Sequence, residues 1–126
     1  MRLKNFSLPV GRQIFKALSD DARIRILVLL FENGRMCVSD LELILDFTQA
    51  KTSRHMTYLK NSGIVTSEKA DQWVFYYIKD EVMDIIGRML EFMEKDITLT
   101  KDRQTFKTLY SNRELALFKV DHARYR

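Results

Sequence analysis

A single cysteine in 126 residues excludes an intrachain disulfide, and two histidines are too few for a catalytic or metal-ligating cluster. The sole proline, Pro9, falls where a first helical turn tolerates it. No stretch approaches the roughly 18 consecutive apolar residues of a membrane span. The opening MRLKNFSLPV has no long apolar segment of the secretory kind, so cytoplasm is the expected location and no membrane partner is expected. Nor does the chain carry a nucleophile, base and metal set of the kind an enzyme needs.

What is present suits one packed core: 46% of the residues are hydrophobic, and the chain is too short for two full domains. The net charge of +4 favours an anionic partner only weakly, but its placement says more. Met36 to Phe47 holds Asp40, Glu42 and Asp46 and no cation. Thr48 to Val65, TQAKTSRHMTYLKNSGIV, holds cations and no acid.

That second stretch reads as a helix over Gln49 to Asn61, capped by the Thr48 hydroxyl and stopped at Gly63. Thr52, Met56 and Leu59 form a narrow inward stripe. Gln49, Lys51, Ser53, Arg54, Thr57, Tyr58 and Lys60 are left outward. Arg and Gln pair in bidentate fashion with base edges, and Lys, Ser, Thr and Tyr suit phosphate oxygens, so this face is expected to bind double-stranded DNA.

Upstream, Ser7 to Ala17 is expected to be a first helix with apolar positions at Leu8, Val10, Ile14 and Phe15. Ser19 is the expected cap of a second, with Ile24, Leu27, Val28 and Phe31 inward. Ser39 and Glu42 match the capping-box pattern of a short third. A tight turn then leads to Thr48, which together describes a helix-turn-helix. After Gly63 the residues become β-branched and aromatic, Ile64 to Ser67 and Trp73 to Ile78, and predict a β-hairpin wing with Lys69 and Gln72 near its tip as further DNA contacts. Trp73, Tyr76 and Tyr77 either touch DNA or fix the sheet on the core. Asp80 is the expected cap of a helix with apolar residues on several faces, which predicts a homodimer formed through Val82, Ile86, Met89 and Met93 beside the first helix. Domain boundaries are set at 1–98 for DNA binding and dimerisation and 99–126 for a C-terminal helical extension packed on the same domain. In the extension, Thr100 or Lys101 is the expected start of one helix and Ser111 or Asn112 the cap of another, ahead of a basic terminal HARYR.

The segments ALSDDARIRILVLL, MCVSDL, TQAKTSRHMTYLKNSGIV and WVFYYI resemble, in order and spacing, the second helix, third helix, recognition helix and wing of the ArsR/SmtB family of winged-helix repressors. The resemblance covers roughly Ala17 to Asp96. It implies a mainly α fold with a small β-hairpin, and a homodimer that represses transcription from a palindromic operator. Release would follow when a small-molecule or thiol-reactive inducer acts.

The chain departs from that family's sensing patterns. Where arsenite sensors carry C-V-C-D-L-C, this chain has Cys37, Val38, Ser39, Asp40, Leu41 and Glu42, one thiol of three. Where zinc sensors carry carboxylate, two imidazoles and a final acid, it has Asp80, Val82, Met93 and Asp96, with both imidazoles missing. No metal cofactor is therefore expected. Cys37 has two readings, a small buried apolar residue or a thiol switch, and a metal site shared across a dimer, with Cys37 meeting its mate or His122, stays an alternative. A winged helix used only for protein contacts is the other alternative. His55 either reaches a phosphate or packs inside the motif.

Overall fold

Most of the described helices begin where a side chain can satisfy free amides of the first turn. The computed structural model describes residues 5–122. Helix α1, Leu8–Ala17, starts at Ser7, whose Oγ accepts from Val10 N at 3.4 Å. It buries only Ile14 and Ala17 and leaves Leu8 85% and Phe15 67% exposed. Helix α2, Asp21–Asn33, is capped not by Ser19 but by Asp20, whose carboxylate accepts from Arg23 N at 3.2 Å. An anion suits the positive end of the helix better, and the Ser19 hydroxyl instead donates to Lys16 O at the end of α1. Within α2 the buried set is Ala22, Ile26, Leu27, Val28, Leu29 and Leu30. Ile24 is half-buried, and Phe31 lies at the surface over Gly87, where an added Cβ would stand 2.6 Å from its ring.

The next residues correct the expected capping box. Met36–Cys37 forms a short strand, β1, antiparallel to a later one, so the wing is a three-stranded sheet rather than a hairpin alone. Helix α3, Val38–Leu45, follows directly with Cys37 as its cap position and no capping side chain. Ser39 thus lies inside the first turn, and its Oγ sits 3.3 Å from Cys37 Sγ rather than over the amide of Glu42. Asp46, at φ 57°, ends α3.

Helix α4, Gln49–Asn61, has the expected bounds: Thr48 Oγ1 accepts from Lys51 N at 3.1 Å. At its other end Gly63, at φ 77°, allows Gly63 N to bond Lys60 O and Ile64 N to bond Leu59 O, the paired closure of a Schellman motif. Strands β2, Val65–Ala70, and β3, Trp73–Ile78, pair from Val65↔Ile78 out to Ala70↔Trp73, with Asp71 and Gln72 at the turn. The sheet order is β1-β3-β2. Phe75 on β3 is fully buried, while Trp73 and Tyr76 pack against the core.

Helix α5 spans Asp80–Glu91 and begins after Lys79, not after Asp80 as its cap. Of the four residues expected at a dimer surface, Val82 at 5% and Ile86 at 0% exposure belong to the protomer's own core. A period of 3.6 cannot say which of several apolar stripes meets which neighbour. Met89 is exposed, Met93 half-buried, and Phe92 is 88% exposed beside them.

Helix α6, Ile97–Ser111, starts earlier than Thr100, because Asp96 accepts from Thr98 N and Leu99 N at 2.9 and 3.1 Å. The boundary drawn between residues 98 and 99 therefore falls in its first turn. Helix α7, Ala116–His122, is capped by neither Ser111 nor Asn112. Its first two amides are held by Asp40 of α3, with Ala116 N to Oδ1 at 2.8 Å and Leu117 N to Oδ2 at 2.9 Å. The extension is fixed further by Arg25, bonded twice to Asp102 at 2.9 Å, and by Arg103 on Glu32 at 2.7 Å. The end of the basic segment HARYR, beyond His122, lies outside the described residues. Among those residues no helix is long and apolar enough to cross a membrane.

Candidate nucleic-acid interface

Helix α4 turns Thr52, Met56 and Leu59 into the core and, with them, His55. Gln49, Arg54, Thr57 and Lys60 are exposed, and Lys51 and Ser53 half-buried beside them. Among the described residues Arg54 forms no hydrogen bond or ion pair. Its guanidinium is therefore available for bidentate bonding to a base edge. The lysines are more anchored. Lys51 Nζ stands 4.1 Å from the centroid of the Phe47 ring, and Lys60 Nζ donates to Ser67 Oγ at 3.0 Å, tying α4 to β2. Lys69 and Gln72 are exposed toward the far end of the hairpin, so α4 and the hairpin both present polar groups, without any acid on α4.

Tyr58 departs from the outward row. It is half-buried, its ring lies 4.1 Å beneath the Arg23 guanidinium of α2, and its hydroxyl oxygen is buried with no hydrogen-bond partner among the described residues. His55, one turn earlier, faces the same junction. Burial pushes its pKa below the ordinary 6.5 and Arg23, Arg54 and Lys51 add to that, while Asp20 opposes it. Burial works against ionised Asp20, but the Arg23 amide and guanidinium hold its carboxyl below the usual carboxylate range.

The second candidate site was Cys37. Its side chain is 3% exposed, on the strand that neighbours α7, and burial raises its thiol pKa while Ser39 opposes the shift. A reactive thiol needs the reverse, exposure and a lowered pKa. The zinc-pattern positions are also dispersed: Val82 is in the core and the Asp96 carboxylate caps α6. Among the described residues no group of three or more His, Cys, Asp or Glu side chains is placed to hold a metal ion.

Two placements depend on partners far along the chain. Asp40 shares a helix face with Leu41, Ile44 and Leu45, all buried, and an acid on an inward stripe signals a buried partner even when the partner cannot be named. Tyr58 follows His55 by three residues, so the two meet the same neighbour.

This arrangement has close counterparts. The model of "Bacterial regulatory protein, arsR family" matches residues 20–67. The arsenical resistance operon repressor of Escherichia coli is 41% identical over 78 residues, 62% of this chain and 65% of the repressor, so the shared part is just under two thirds of that relative. The cadmium resistance transcriptional regulatory protein CadC of Listeria innocua is 35% identical over 95 residues, 75% of this chain and 80% of CadC. Among solved structures, the homodimeric winged helix-turn-helix DNA-binding domain from Mycobacterium bovis superposes with a TM-score of 0.62 at 21% identity, over 70% of this chain and 82% of that one. The fold is thus a winged helix-turn-helix extended by α6 and α7, and by its match to CadC the chain belongs to the ArsR family of bacterial regulatory proteins.

Proposed function

We propose that the protein is a sequence-specific double-stranded DNA-binding repressor that acts in the cytoplasm as a homodimer on a palindromic operator. One observation carries the reading: the exposed face of α4 joins Gln49, Arg54, Thr57 and Lys60 and contains no acid. A solvated helix face serving only protein contacts would mix its signs. Arg54 and Gln49 read base edges, Ser53 and Thr57 assist them, and Lys51, Lys60 and Lys69 hold phosphates, with Gln72 at the wing tip. Tyr58 contributes by shaping the helix rather than by touching DNA.

The homodimer is supported by Leu8, Val10 and Phe15 on α1 and Met89 and Phe92 on α5, all exposed apolar residues. Met93 lies at their edge. The names of the E. coli and Listeria relatives favour regulation of transcription, and that of the Mycobacterium domain favours the homodimer. A dimer of this kind sets its reading helices roughly 34 Å apart, one turn of DNA. Selection of bound duplexes from a randomised pool, followed by footprinting, tests the proposal. The expected product is an inverted repeat with both halves protected; recovery of no common sequence, or protection of one isolated half-site, refutes it.

A further inference from the structure

Arg23 begins on α2 and ends among three elements. Its Nε donates to Ala17 O at 3.0 Å and its Nη2 to Lys16 O at 3.1 Å, the closing carbonyls of α1. Nη1 lies 3.9 Å from Asp20 Oδ2 at the start of α2. The Cζ of the same guanidinium lies over the Tyr58 ring on α4, 4.1 Å from its centroid, and the side chain is only 12% exposed. One rigid planar group thus joins the helix that carries exposed apolar surface to the helix that carries the acid-free polar face. A lysine would supply the charge without the fork or the plane.

Tyr58 is held through its ring alone, since its buried hydroxyl has no partner among the described residues. Beside the buried Thr52, Met56 and Leu59, which seat α4 in the core, the contact that ties α4 to α2 is therefore guanidinium on aromatic face, backed by carbonyls of a different helix. We propose that Arg23 is a positioning residue for DNA recognition, which fixes the separation and rotation of α4 relative to α1 and so sets the half-site spacing that the dimer accepts. The inference rests on the homodimeric DNA-binding reading above. Arg23 touches no DNA in this role. It acts through Tyr58 and the end of α1.

The test uses synthetic duplexes with the half-site recovered by the wild-type protein, separated by spacers one or two base pairs shorter or longer than the recovered one. Wild type should prefer its own spacing. Arg23→Gln should lose about tenfold on that spacing and much less on the others, the size of one desolvated cation–π contact with its backing bonds. The spacing profile is flattened rather than lowered. Arg23→Lys should behave like Arg23→Gln. Tyr58→Phe should keep the wild-type profile, whereas Tyr58→Leu should flatten it, and the double variant Arg23→Gln/Tyr58→Leu should be no worse than either single one.

Circular dichroism and size-exclusion chromatography accompany each titration. Should Arg23→Gln not fold, the Tyr58→Phe and Tyr58→Leu pair decides alone. Parallel losses on every spacing, or a Tyr58→Phe profile as flat as that of Tyr58→Leu, overturn the positioning role. A wild-type protein that recovers no inverted repeat overturns the homodimeric reading instead, which is a different result from a repeat whose spacing Arg23 and Tyr58 leave unchanged.

Discussion

Replacing Asp40 should loosen the C-terminal helix from the domain, and the size of the effect follows from two bonds. The carboxylate is 1% exposed and accepts from Ala116 N at 2.8 Å and Leu117 N at 2.9 Å. Those amides open α7, so no carbonyl of their own helix reaches them. Asp40→Ala removes both acceptors and strands two buried donors, each at a cost of about 1 to 3 kcal/mol, for a total of about 3 to 5 kcal/mol after partial relaxation. Asp40→Asn is the cleaner probe because it keeps the volume. It retains one acceptor but turns an NH2 group toward the second amide, and about 2 to 3 kcal/mol should be lost. For a domain of this size that lowers Tm by roughly 10 °C. Urea titration gives the free energy, and amide exchange locates it: protection should fall at Ala116 and Leu117 before the core of α2. A loss under about 0.5 kcal/mol for Asp40→Asn, within the range of ordinary surface changes, would refute the reasoning.

Four further outcomes are expected. Lys69→Ala should weaken binding to all duplexes alike and reduce the salt slope by about one, whereas Arg54→Ala should lose about 1 to 3 kcal/mol on the operator and little on random DNA. Gel shifts over a salt series separate them, and a changed sequence preference for Lys69→Ala would move that lysine to the base-reading group. Zinc, cadmium or arsenite should leave operator affinity nearly unchanged, because Ser39, Glu42, Val82 and Met93 stand where sensing relatives would need thiols or imidazoles; stoichiometric metal binding abolished by Cys37→Ser, with release of DNA, would contradict this. His55, with its pKa held below 6.5, binds its proton more readily in the unfolded chain, so its contribution is complete above that pH and declines as pH falls through 6.5 toward the folded value. Stability measured between pH 7.5 and 5.5 should therefore fall more in wild type than in His55→Gln; equal slopes would remove His55 as the cause.

The parts that were legible in the sequence are those whose determinants lie within a few residues. Helix α4 is bounded by Thr48 and Gly63, and both ends close on neighbours. Where two local signals compete, the sequence misleads: Ser19 and Asp20 are adjacent cap candidates, and the electrostatics of the helix end decides for the acid. Strand β1 has two residues, too few for any alternation, and forms because Met36 and Cys37 find Tyr76 and Phe75 some forty positions on. The cap of α7 spans a gap nearly twice as long, so nothing near Ala116 announces it. For α5 the obstacle is different. Apolar residues on several faces imply several neighbours, but only packing assigned Val82 and Ile86 to the inside. At α4 the helical period places Gln49, Arg54, Thr57 and Lys60 at the surface, whereas the turn of Tyr58 toward Arg23 depends on the placement of α2.

Strand β1 gives the wing the mechanics of a cantilever. Its root is clamped on both sides of β3, by Met36 and Cys37 on one edge and Val65 on the other, and Lys79 N bonds Ile64 O just behind. Beyond Phe75 only the β2 arm remains alongside, out to the Asp71–Gln72 bend. Ala70 and Trp73, the outermost pair, still pack against the core and damp the deflection that grows toward the bend, and the outer arm can be lengthened without re-aiming α4. Two residues added to each arm extend the reach by about 7 Å and preserve which side chains face which way, whereas one residue per arm extends it by half as much and turns Lys69 to the opposite face.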